Sequence, residues 1–134
     1  MGTWGLGPFD NDGAADLLGE IEDGTFSFDA IEWAFDGDYL DADGGEFAVA
    51  LVELALVALE AHDPSEEVAD LDLTAFAALL TPERLAWLVR QGERALAGTE
   101  ASELHELWAE AGEDELEAWR AATRTSLSEL RELT

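Results

Sequence analysis

The chain has 134 residues, no cysteine and no lysine, and sets 32 Asp and Glu against six Arg for a net charge of −26. That composition excludes disulfides and thiolate zinc sites, and it argues against nucleic acid or anionic membrane as a partner, because both need cationic contacts. No stretch reaches the ~20 apolar residues of a membrane span, since Glu53 and Glu60 interrupt the most apolar run, Phe47 to Ala61.

In chain order, residues 1–10 read as an irregular arm rich in glycine, with Pro8 fixing the backbone and Trp4 and Phe9 as aromatic plugs for the core. A first helix is expected over Asp12–Glu22, with Ala14, Leu17, Leu18 and Ile21 on one face and Asp10, Asn11 and Asp12 as competent caps. Thr25–Phe35 predicts a second, short helix presenting Phe28, Ile31 and Phe35. Asp43-Gly44-Gly45-Glu46 has the form of a capping box. It predicts a central helix from Gly44 to about Ala61, apolar nearly all round except for a solvated stripe of Glu46, Glu53 and Glu60.

Asp63-Pro64-Ser65-Glu66 then suggests a short helical turn or ordered loop, and alanines favour helix over Leu73–Leu80. Thr81-Pro82 begins a helix carrying Leu85, Leu88, Ala95 and Leu96 to a stop at Gly98. Ser102 caps the next, with Leu104, Leu107, Trp108 and Ala111 inward, and Asp114–Leu133 closes the chain on a seam of Leu116, Trp119, Thr123, Leu127 and Leu130. The sum is one all-α domain over residues 1–134: a bundle of five to six helices around the central apolar helix, with the aromatic arm packed on it.

The two ends carry a resemblance. Gly2-Thr3-Trp4-Gly5, Gly7-Pro8-Phe9-Asp10-Asn11-Asp12, Ala14 and Asp16 look like the start of the family of domain of unknown function 4259. Ser102-Glu103-Leu104, Leu107-Trp108 and Trp119 are similar to that family's C-terminal pattern. The resemblance implies a small, soluble, mostly helical domain. The family has no assigned activity, so no catalytic or binding residue carries over.

Familiar chemistry is thin. The glycine-rich arm lacks the Gly-Lys-Ser/Thr of a phosphate loop and the G-x-G-x-x-G of a dinucleotide loop. His105-Glu106-Leu107-Trp108-Ala109 resembles a zincin helix until Ala109 stands where the second histidine belongs. His62 and His105 therefore read as capping or surface residues. Two carboxylate clusters, Asp10/Asp12/Asp16 and Asp36/Asp38/Asp41/Asp43, miss the calcium-loop register. Asp36, Asp38 and Asp41 are the candidates for a metal, but with Asp43 committed to capping they are too few, and diffuse cation binding without a specific site is the expectation.

Charge is distributed unevenly: residues 1–83 hold 21 acids and no Lys or Arg, and all six Arg lie from Arg84 onward. Adaptation to high salt is the favoured reading of the acidity, over genome composition or mimicry of nucleic acid. The arginines are expected to balance the acidic first half within the molecule.

No cofactor and no catalytic residue is expected, and the N-terminal sequence lacks a secretory leader's basic and apolar regions, which points to the cytoplasm. The function expected is a non-enzymatic interaction or accessory module, monomeric or a small homo-oligomer, with an unidentified protein partner for which a basic surface is the fitting character. The alternative is an acidic immunity or inhibitor protein blocking a basic partner such as a nuclease, with a small hydrolase third.

Overall fold

Helix α2, Ala42–Ala58, is the axis of the molecule: Leu51, Leu54, Ala55 and Leu56 are fully buried, and helices pack on it from several sides. The computed structural model describes Phe9 and residues 11–134. Around α2 stand α1 (Asp12–Asp23), α3 (Thr74–Ala78), α4 (Pro82–Ala95), α5 (Glu103–Ala111) and α6 (Glu113–Glu132), with a single 3-10 turn at Glu32–Phe35. The architecture is the expected all-α bundle, with six α-helices among the described residues. None of these helices is long and apolar enough to cross a membrane.

Local chemistry sets most helix boundaries. The Asn11 side chain accepts the Ala14 N–H at 2.7 Å, and Gly24, with φ of 76°, closes α1. Thr81 Oγ1 accepts the Arg84 N–H and Ser102 Oγ the His105 N–H, opening α4 and α5. Phe9 is buried as a core plug, whereas Trp4 and Asp10 lie outside the described residues.

Three expectations are corrected. Thr25–Phe35 is a string of turns ending in the 3-10 segment, because Ser27 Oγ accepts the Ala30 N–H and an aromatic cluster holds the chain. In that cluster Phe26 meets Phe28 at 5.1 Å and Phe76 at 5.6 Å between ring centroids. The three residues assigned to the face, Phe28, Ile31 and Phe35, are nevertheless buried.

Second, α2 starts earlier than the capping box requires. Asp41 occupies the N-cap position without a side-chain bond, and the free Ala42 N–H is taken at 2.7 Å by Glu103 Oε1 from α5. Asp43 is exposed in the first turn rather than capping it, and Glu46 is buried against Gly13. The supposed solvated stripe therefore does not exist. Glu53 is largely covered, and Glu60 leaves the helix in a left-handed conformation with φ of 64°.

Third, α5 turns differently from its predicted face. Leu104 and His105 are buried, Leu107 and Trp108 half-buried, and Ala111 exposed. The α6 seam of Trp119, Thr123, Leu127 and Leu130 is buried as expected, with Leu116 at its edge.

Candidate functional site

The segment 32–43 is built by two anchors and what lies between them. Phe35 is buried edge-on to Trp87, with centroids 4.9 Å apart, and Leu40 is fully buried. Leu40 is also stitched to the start of α5: its N–H donates to Ala101 O and its carbonyl accepts from Glu103 N, each at 2.9 Å. Gly37, with φ of 82°, supplies the left-handed turn between the anchors. Asp36, Asp38, Tyr39, Asp41 and Asp43 are consequently held outward.

Trp33 adds the apolar component. The 3-10 turn buries Ala34 and Phe35 and leaves Trp33 59% exposed, touching Phe47 edge-on. Tyr39 is 42% exposed. Partial desolvation, the charges of Glu106, Glu103 and Asp41, and a hydrogen bond to Glu106 all raise its hydroxyl above the ordinary tyrosine range, so it stays a neutral donor. Two exposed rings thus lie on the same segment, here called the 33–43 ridge, as four exposed aspartates.

Two arginines of α4 reach this segment. Arg94 donates to Phe35 O at 2.9 Å, Gly37 O at 2.8 Å and Gln91 Oε1 at 2.9 Å, tying down the loop backbone. Arg84 lies over the Phe28 and Trp87 rings, 4.4 and 4.8 Å from their centroids, and pairs with Glu32 at 3.5 Å. Of the six arginines, these two tie the C-terminal part to the acidic half, while Arg120 pairs with Glu117 and Arg131 with Glu93.

Asp36, Asp38 and Asp41 do not form a metal cage. Among the described residues no three His, Asp or Glu side chains converge on a point that could hold a metal ion. The Phe35 and Gly37 carbonyls of the same loop accept from the Arg94 guanidinium.

Described residues from the two singled-out ends flank the first turns of α2. Asn11 caps α1, whose Gly13 abuts Glu46 and Phe47, while Asp12 and Asp16 are exposed. On the other side Ser102 is fully buried and Gly45 packs against Leu104. Trp108 stacks on Trp119 with 6.1 Å between centroids and 17° between planes, and Leu107 is half-buried. These residues hold helices together, and the exposed ridge is built on the joint they form.

The expectation of capping or surface residues holds only in part: the His62 backbone N–H reaches Leu56 O at the end of α2, but neither ring is free on the surface. His105 is buried edge-on to Trp119 with Nδ1 3.2 Å from Thr99 Oγ1, and burial, helped by the Arg120 charge, holds it below the ordinary histidine range. His62 Nδ1 lies 2.9 Å from Glu53 Oε1, and Nε2 lies 2.5 Å from Glu129 Oε2. Both ring nitrogens are engaged, so neither is left to take a proton from a substrate in this arrangement.

Sequence reasoning missed Trp33, Tyr39 and the His62 bridge. A usable signal existed for Trp33, which falls off the Phe28–Ile31–Phe35 spacing. Tyr39 stood among aspartates with no apolar neighbour except Leu40. Nothing in the sequence joins His62 to a residue 67 positions later.

Comparison with known proteins gives one match: the family model described as domain of unknown function (DUF4259) matches residues 2–122. No curated protein and no solved structure matches the chain.

Proposed function

The chain belongs to the family of domain of unknown function 4259, and from that premise we propose that it is a non-catalytic interaction module whose 33–43 ridge docks a basic protein segment. The observation that carries this reading is the exposure of Trp33 and Tyr39 among Asp36, Asp38, Asp41 and Asp43. Exposed large aromatics beside exposed carboxylates suit arginine-rich partners, because a guanidinium can stack on the ring while its donors reach the acids. Arg84 makes that arrangement within the molecule, over Phe28 and Trp87 and beside Glu32.

The immunity or inhibitor alternative uses the same chemistry against one kind of basic partner, an enzyme with a cationic nucleic-acid groove. It differs in outcome, since the bound partner would lose nuclease activity.

The test is site-specific cross-linking in native lysate with a photoreactive benzophenone amino acid placed at position 39 or, as control, at the exposed Leu133. Position 39 is expected to give an adduct with a protein of net positive charge, and Trp33→Ala is expected to weaken it. Equal adducts from both positions, or an adduct indifferent to Trp33, would overturn the reading.

A further inference from the structure

The C-terminal end of α2 closes in an unusual way. Ala61 N–H donates to Leu56 O at 2.8 Å and Glu60 N–H to Val57 O at 3.0 Å, the paired bonds of a Schellman turn. The left-handed position of that turn, normally glycine, is Glu60 with φ of 64°. A non-glycine residue there costs on the order of 1 kcal/mol. This turn folds the chain back so that His62 faces Glu53, nine residues earlier on α2, and Glu129, near the end of α6.

We infer that Glu53, His62 and Glu129 form a proton-controlled latch that fastens the end of α6 to the turn closing α2. The argument is one of donors and acceptors. Ionised carboxylates only accept, so each ring nitrogen must donate, and an imidazole can donate from both nitrogens only when it is protonated. Loss of the proton leaves a nitrogen lone pair facing a carboxylate, which turns one attraction into repulsion. All three side chains are partly covered, with 25%, 16% and 38% exposure for His62, Glu53 and Glu129, so the pairing is shielded from salt better than a fully exposed ion pair.

Among the described residues, Glu53 from α2 and Glu129 from α6 are the charged groups acting on the ring. Helix α4, which packs on both, directs Glu93 to Arg131 instead. Burial alone would lower the His62 pKa; the two carboxylates outweigh it through hydrogen bonds and charge, and the net shift is upward from 6.5. The latch is therefore closed below pH 6.5 and opens as pH rises through the raised value. Glu53 also lines a small cavity of about 60 Å³ between α2, α4 and α6, beside Thr123 and Ser126.

Two readouts on the intact protein test this. Nuclear magnetic resonance of the His62 ring is expected to give a pKa above 6.5, and Glu129→Gln is expected to lower it. Amide exchange, corrected for its intrinsic pH dependence and followed from about pH 5.5 to about pH 9, is expected to show protection of residues 127–132 falling by ~10-fold through that pKa. In His62→Gln the protection of the same amides should no longer depend on pH. A His62 pKa at or below 6.5 in the wild-type protein overturns the latch, as does protection that stays constant through the titration. Both wild-type readings remain decisive even if a variant fails to fold.

Discussion

Replacing Gly44 with alanine is expected to lower the thermal midpoint by ~10 °C, through a loss of ~2–3 kcal/mol. Gly44 lies in the first turn of α2, and a methyl group there would overlap the Ala34 carbonyl oxygen and approach Leu40 Cδ1 to 2.6 Å. A flexible side chain can yield to such a group, but a backbone carbonyl at the end of the 3-10 turn cannot move without moving Phe35 and the ridge. Alanine is otherwise the better helix former by ~1 kcal/mol, so the steric term must overcome that gain before any loss is seen. Gly19 supplies the control: it sits inside α1, and an added methyl would meet nothing within 4 Å. Gly19→Ala should therefore stabilise by ~0.5–1 kcal/mol. Paired melts of the two variants check both signs, and a neutral Gly44→Ala would mean that the junction of α2 with the 3-10 turn is looser than described.

Salt should produce an effect of similar size in the other direction. With −26 on 134 residues, and 21 acids without a Lys or Arg in residues 1–83, the folded state concentrates like charge that the unfolded chain spreads out. At ~1 M salt the Debye length falls to ~3 Å, which removes repulsion between exposed acids. The bonds that hold the bundle, such as Ala42 N–H to Glu103 and the buried Leu51 and Leu54, are short-ranged and are not weakened in proportion. Melts from ~0.05 M to ~2 M KCl should thus show the midpoint rising by ~10 °C. A flat series would remove high-salt adaptation as the reason for the acidity and leave genome composition or mimicry.

How much was legible in the sequence follows from how local each determinant is. The starts of α1, α4 and α5 could be read because Asn11, Thr81 and Ser102 cap the helices they precede. The start of α2 could not, because its capping carboxylate, Glu103, comes 61 residues later. The Thr25–Phe35 segment has helical spacing of Phe28, Ile31 and Phe35, yet Ser27 and the Phe26–Phe76 contact draw it into turns. His105 looked like a surface residue because its cover, Trp119, arrives from the next helix. The candidate site divides the same way. The four aspartates of the ridge were visible as a cluster, whereas the exposure of Trp33 and Tyr39 depends on where Phe35 and Leu40 are anchored. Their tethers, Arg94 and the Leu40–Ser102 bridge, are long-range.

The claim that ridge 33–43 is a binding surface, and not merely one acidic patch among others, is tested most directly by titrating an arginine-rich peptide into the isotopically labelled protein at ~0.15 M salt. Charge-neutral substitutions separate the alternatives, because Trp33→Ala and Tyr39→Ala remove rings without removing a carboxylate. The account predicts resonance shifts concentrated on residues 33–43 and an affinity that falls ~5- to 10-fold in each of these variants, the scale of a lost cation–π contact. Shifts spread evenly over the acidic faces of α1 and α6, with affinity unchanged by Trp33→Ala, would contradict it.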